Sequence, residues 1–144
     1  MVDRKRNRRE TAAILRKIPF NNLLGMRIAG LHHDGVTLAC KIEPRLFNFK
    51  GILYDGVSAA LADAAAGVAL HRHFAGQRAI TTVELKINYF RPVAKGRVFA
   101  RSRLLRTGST ICVSRVDIAD ARGRALGTAL VIYMVLHDQG QRET

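Results

Sequence analysis

Apolar and polar residues alternate along most of this chain, and one long stretch that does not alternate divides it. Residues 26–31 and 36–42 read as two strands joined at Asp34-Gly35, a strong short-range hairpin signal, with Val36, Leu38, Cys40 and Ile42 on one face of the second. Residues 44–54 read as a loop. From 56 to about 73, ending before Gly76, apolar residues cover nearly every face of a helix, which suits a core rather than a surface. Four strands follow. In 81–90, Val83, Leu85, Ile87 and Tyr89 alternate with Thr82, Glu84, Lys86 and Asn88 until Pro92 stops the run. In 98–106, Val98, Ala100, Ser102 and Leu104 alternate with Phe99, Arg101 and Arg103. Thr107-Gly108-Ser109 turns into 111–118, and 120–123 makes the next turn. The run 125–136 is nearly all apolar, as a strand buried on both faces would be. Ahead of these elements, 11–17 reads as a short helix with Thr11 as its cap and Pro19 as its end.

The order is therefore helix, hairpin, long buried helix, then four strands in a meander. Neither one apolar helix nor a sheet of about six strands hides its apolar surface alone, so the sheet is expected to curl around the helix. This α+β arrangement, an antiparallel curled sheet wrapped around one long apolar helix, is the hotdog fold. With 144 residues and no internal repeat, one such domain is expected over 18–137. A basic arm with the short helix would occupy 1–17, and a frayed tail 138–144.

Charge adds one anomaly. The formal net charge is +13, and within residues 1–17 seven cations (Arg4, Lys5, Arg6, Arg8, Arg9, Arg16 and Lys17) face only Asp3 and Glu10. Much of the remainder lies on Arg97, Arg101, Arg103, Arg106, Arg115, Arg122 and Arg124. Such an excess attracts polyanions: nucleic acid, an acidic membrane surface, or the phosphates of a coenzyme. Aromatic residues do not interleave with the arginines as they would in a single-strand platform, and no helix-turn-helix or zinc-finger pattern is present. A solvated basic face with a disordered arm explains the charge equally well. No apolar run reaches the roughly 18 residues of a membrane span, and the N-terminus lacks the features of a signal peptide. Cys40 and Cys112 sit within strands, outside any metal or redox motif, and read as reduced core residues of a cytoplasmic protein.

One carboxylate, Asp63, interrupts the apolar helix. A buried acid is expensive unless something pairs with it or uses it, so Asp63 is the first candidate for chemistry, against the alternative that it merely holds a loop. Other candidates are weaker. His71 and His73 are two apart and do not share a helical face, and His32 and His33 have no acid or cysteine at metal spacing. Gly56-Val57-Ser58 lacks the nucleophile-elbow pattern. No metal site and no bound cofactor are expected.

The chain over 19–133 resembles the acyl-CoA thioesterases of the hotdog superfamily, of the phenylacetate-pathway and 4-hydroxybenzoyl-CoA type. Members of that group show Asn, then Gly, two residues, His-Gly-Gly, and an acid nine residues after the His. Here Asn48 and Gly51 precede Tyr54-Asp55-Gly56, and Asp63 lies nine residues after Tyr54. The run TTVELKINYFRP resembles the family's T-V-D-L-x-I-x-Y-x-R-P strand, and the glycine turn at Gly108 and the Asp120 to Gly123 turn fall in matching places. The resemblance implies hydrolysis of an aryl- or fatty-acyl-CoA thioester, with coenzyme A arriving as part of the substrate. It implies Asp63 as nucleophile or general base, and the N–H groups of Asp55 and Gly56 at the helix start as holders of the carbonyl oxygen. Asn48 would orient water or thioester, and Thr82, or Thr81 beside it, would hold the water. Tyr54 would contact substrate, and Arg91, Lys95, Arg106 and Gly108 would form a rim for the coenzyme's phosphates.

Tyr54-Asp55 stands where the family has His-Gly. The Asp55 side chain is expected to compete for the helix start, as cap or as misplaced negative charge. A non-catalytic acyl-CoA sensor is therefore the alternative reading. A hotdog dehydratase needs an acid–histidine pair, for which no histidine is suitably placed. Nucleic acid or an acidic membrane, engaged through 1–17, is a third class of partner. Spacing adds a constraint: eight residues of helix separate Asp55 from Asp63 by about 12 Å, too far for one carbonyl to meet both. Two antiparallel helices across a two-fold axis would bring them together, so a homodimer, or a homotetramer built as a dimer of dimers, is expected.

Overall fold

A computed structural model describes residues 7–137. In chain order it contains α1 (Arg8–Arg16), α2 (Pro19–Leu23), β1 (Arg27–His32), β2 (Gly35–Lys41), a single 3-10 turn (Pro44–Leu46), α3 (Asp55–His73), β3 (Ala79–Tyr89), β4 (Arg97–Thr107), β5 (Ile111–Asp120) and β6 (Ala125–Leu136). The six strands form one antiparallel sheet in the order β1-β2-β4-β5-β6-β3. The long helix lies across its inner face and touches β2 to β6. Val36, Leu38, Val98, Ala100, Val116 and Val131 close on Leu61, Ala62, Ala65 and Leu70, all nearly or fully buried. The alanines let the curled sheet approach the helix backbone, while each buried leucine contributes on the order of 2 kcal/mol. This is the expected hotdog architecture.

The N-terminal region differs from expectation. Helix α1 starts earlier, and its cap is Asn7: the side-chain oxygen accepts the N–H of Glu10 at 3.0 Å while Glu10 accepts the N–H of Asn7 at 3.1 Å, a capping box. Thr11, expected as the cap, lies one turn inside, fully buried, donating its hydroxyl to Asn7 O at 2.7 Å. Pro19 follows the end of α1, with Ile18 before it extended, and it also opens α2 at a position where its missing N–H costs no hydrogen bond. The side-chain amides of Asn21 and Asn22 donate to the carbonyls of Leu15 and Arg16, the last of α1, and so fix the corner between the two helices. α1 packs on α3 and β1, and Arg8 donates to Ile28 O at 2.9 Å. The first six residues of the arm and the expected frayed tail lie outside the described residues.

Two strand details also differ. The hairpin loop is His33-Asp34, and Gly35 is already the first residue of β2. Its φ is not positive; glycine is required there because a Cβ would collide with the Ser102 carbonyl on β4. β3 does not alternate without a break. Its register against β6 slips between Thr82 and Glu84, leaving Val83 as a bulge that is 51% exposed. β6 is not buried on both faces: Leu126, Ala129, Val131, Tyr133 and Val135 face the core, while Leu130 and Leu136 are exposed.

Cys40 and Cys112 are free and buried, and burial pushes both thiols up from their ordinary pKa. Four of the seven arginines that stood out in the folded part are ion-paired: Arg101 with Asp34, Arg103 and Arg115 with Asp117, and Arg124 with Asp120. No helix among the described residues is long and apolar enough to cross a membrane.

Candidate active site

Asp63 sits in the middle of α3 on the side that looks toward β3, β6 and the α1–α2 corner. It is half-buried rather than enclosed. Its neighbours border a pocket of about 380 Å³ with Ile14, Ile18, Phe20, Ala60, Ala64 and Val68 as apolar wall and Thr81, Thr82, His71 and Tyr133 as polar lining. Thr82 donates its hydroxyl to Asp63 Oδ1 at 2.8 Å. Simple alternation would have put Thr82 with Glu84 on the outer face; the bulge at Val83 turns it inward, opposite Tyr133.

Tyr133 was not singled out from the sequence. Its hydroxyl oxygen lies 2.9 Å from Asp63 Oδ1 and 3.0 Å from the Asp63 carbonyl oxygen, so its one proton is shared between the two acceptors. Burial, then the negative charge of Asp63, push the phenol far above its ordinary pKa, so it remains a donor throughout the working pH range. Gly67, one turn beyond Asp63, makes this contact possible: a Cβ there would lie 2.6 Å from the Tyr133 oxygen. A glycine inside an otherwise strong helix was the available signal of a close approach.

The helix start forms a second group. Tyr54 is the N-cap residue of α3 but makes no side-chain cap bond, and Asp55 is the first helical residue. The expected capping by the Asp55 side chain is absent, because the cap position belongs to the residue before it. The N–H groups of Asp55 and Gly56 belong to the first turn, which has no intrahelical partners, whereas that of Val57 is taken by Tyr54 O at 3.0 Å. The Tyr54 ring, 59% exposed, lies against Gly56, where a Cβ would be 2.8 Å from ring carbon Cε1. Tyr89, near the end of β3, donates to the Asp55 carbonyl at 2.7 Å and ties strand to helix.

Asn48 shapes the preceding loop, its Oδ1 accepting the N–H of Lys50 at 2.8 Å and of Ile52 at 3.4 Å. With the acceptor side so engaged, the group it presents to a ligand is the amide NH2, a donor. A second apolar pocket of about 380 Å³ adjoins the helix start, bordered by Phe20, Leu46, Phe47, Tyr54, Gly56 and Val57. Phe20 thus borders both pockets.

Within this one chain the site residues form two groups. Asp63, Thr82 and Tyr133 meet in one place, with Thr81 on the same pocket wall; Tyr54, Asp55 and Gly56 stand at the helix start, Asp55 eight helical residues before Asp63, and Asn48 lies in the loop that precedes the helix. The proposed phosphate rim is divided in the same way. Arg91 borders a small cleft with Asp55 and Tyr89, and Lys95 lies in the loop that follows. Arg106 and Gly108 lie beside the strand level Thr82–Tyr133–Cys112–Thr107, at the Asp63 end. Two larger grooves of about 510 and 520 Å³, one flanked by Arg8 and Arg16 and the other by Lys41, Arg45 and Arg97, with Arg27 bordering both, include none of these residues. No group of three His, Cys, Asp or Glu side chains suited to a metal occurs among the described residues.

Residues 50–126, more than half of the chain, match the model of the thioesterase superfamily. Over 133 residues the chain is 32% identical to the medium/long-chain acyl-CoA thioesterase YigI of Escherichia coli K12, covering 82% of this chain and 86% of that protein. It is 30% identical over 118 residues to a putative esterase of Saccharolobus solfataricus, covering 82% and 84%. Among solved structures, a thioesterase from Haemophilus influenzae superposes with a TM-score of 0.87 at 21% identity, covering 99% of this chain and all of that one. A thioesterase family protein from Silicibacter pomeroyi gives 0.80 at 27% identity, covering 89% and 96%.

Proposed function

This chain belongs to the thioesterase superfamily, and from that premise we propose that it hydrolyses acyl-CoA thioesters at a site completed by a second copy of itself. The observation that carries this reading is the cluster on Asp63, a carboxylate held by Thr82 and Tyr133 at the mouth of an apolar pocket. An aliphatic acyl chain of medium to long length fits those walls, and YigI, at 32% identity, carries that specificity in its name.

Asp63 on one subunit attacks the thioester carbonyl or takes a proton from an attacking water. In the first case the carboxylate oxygen bonds to the carbonyl carbon as the C–S bond breaks, and the thiolate leaves and takes a proton from solvent. Water then cleaves the resulting anhydride to free the acid and restore Asp63. In the second case the hydroxide oxygen bonds to the carbonyl carbon, the C–S bond breaks, and the departing sulfur takes the proton from Asp63. The N–H groups of Asp55 and Gly56 on the other subunit hold the carbonyl oxygen, where the helix start favours developing negative charge. The Asn48 amide donates beside them. Arg91 and Lys95 from one subunit and Arg106 from the other receive the coenzyme's phosphates, with Gly108 leaving room at the turn. No metal or further cofactor is required, and the free thiols suit the cytoplasm.

Two features support the second copy. The helix separates the two groups by about 12 Å, and β3 is an eleven-residue edge strand whose outer backbone is open to pairing. Mixing two inactive variants, Asp63→Asn and Asn48→Ala, tests the sharing. A mixed dimer regains one intact site, so activity should return on mixing. If the mixture stays as inactive as its parts, the site is not shared.

A sensor is favoured by one observation, the Tyr54 ring lying on Gly56 at the helix start. Free-thiol release from a panel of aryl- and fatty-acyl-CoA esters separates the readings. Turnover that Asp63→Asn abolishes supports hydrolysis. Tight acyl-CoA binding without turnover, with activity emerging in Tyr54→His/Asp55→Gly, supports a sensor.

A further inference from the structure

We infer that Tyr133, given room by Gly67, is a positioning residue that works with Thr82 to hold Oδ1 of Asp63 and commit Oδ2 as the reacting oxygen. The inference rests on the proposed hydrolysis and specifies which atom performs it. Both hydroxyls donate to the same carboxylate oxygen, at 2.8 Å from Thr82 and 2.9 Å from Tyr133. They arrive from different strands, β3 and β6, whose residues 82 and 133 are directly paired. Two donors on one oxygen fix the rotation of the carboxylate about its Cβ–Cγ bond and leave the other oxygen for substrate or water.

The same Tyr133 proton is shared with the Asp63 backbone carbonyl at 3.0 Å, so the phenol oxygen is held against the helix as well as against the side chain. That close approach has a specific requirement. The phenol oxygen occupies the space that a Cβ on residue 67 would need, and Gly67 is nearly surrounded by core. Glycine in a helix interior costs about 1 kcal/mol relative to alanine. Here it creates the recess into which the phenol fits.

The test compares Tyr133→Phe, Gly67→Ala and their combination with wild type, using steady-state kinetics on a hexadecanoyl-CoA substrate and melting temperatures. Tyr133→Phe should lower kcat about 10- to 100-fold with KM changed less than about threefold, in line with loss of a hydrogen bond to a charged group. Gly67→Ala should reproduce this loss of kcat and lower the melting temperature. Adding Tyr133→Phe to Gly67→Ala should restore much of that temperature, because the colliding oxygen is gone. An unchanged kcat in Tyr133→Phe, or a double variant no more stable than Gly67→Ala, overturns the inference. Full activity in Asp63→Asn instead overturns the hydrolytic reading itself, so the two failures are distinguishable.

Discussion

Thr82 donates to Asp63 across 2.8 Å because β3 slips by one residue immediately after it. The bulge spends one unpaired residue, Val83, to rotate a hydroxyl from the outer face of the sheet to the face that meets the helix. Thr82→Val keeps the shape and loses the donor, so kcat/KM should fall about tenfold or more, since a hydrogen bond to a charged group contributes about 1.5–3 kcal/mol. Thr82→Ser should retain most of the activity. A loss in Thr82→Ser with none in Thr82→Val would mean that the methyl group, and not the hydroxyl, matters.

Gly35 tests whether the hairpin glycine serves the turn or the neighbouring strand. Gly35→Ala should destabilise the fold by about 3 kcal/mol, because the new Cβ meets the Ser102 backbone, which cannot swing away like a side chain. Chemical denaturation measures it. A loss of only a few tenths of a kcal/mol would show that β2 and β4 separate readily.

The capping box on α1 predicts a modest, local effect. Asn7→Ala should cost about 1 kcal/mol of stability, the usual loss for removing such a cap. Because Ile14 on this helix borders the Asp63 pocket, KM for long acyl chains should rise while kcat stays near its original value. Steady-state kinetics across a chain-length series would reveal it, and an unchanged KM at every length would separate α1 from substrate binding.

Acid should weaken the fold through Asp34. The hydrogen bond from the Arg101 guanidinium at 2.7 Å holds its carboxyl below the ordinary value of 3.8, against the opposing effect of burial. A folded-state pKa below the unfolded one stabilises the fold above that ordinary value, and the contribution disappears as pH falls through the folded value. The melting temperature should hold steady near neutrality and decline below about pH 4. Arg101→Met should make that decline shallower, and an identical decline would assign it to other carboxylates.

How legible the molecule was depended on the range of the interactions that shaped each part. α3 and Asp63 could be read because a helix apolar in every direction makes a single acid conspicuous. The inward turn of Thr82 could not, since a one-residue slip leaves the alternation of apolar residues looking intact. Tyr133 passed as one more apolar residue in an apolar strand, although a buried phenol needs a partner and Gly67 marked where that partner lay. α2 is five residues long, too short for any periodicity, and is held by two asparagines whose partners lie on α1. The departure Tyr54-Asp55 was visible, but its effect depended on which residue occupied the cap.

Phe20 stands between the two clefts, exposed on a helix that buries only Asn21. The dividing wall is therefore the most replaceable part of the neighbourhood. Appetite for longer or shorter tails can drift by small edits to this surface turn, leaving the chemistry and the scaffold behind it undisturbed.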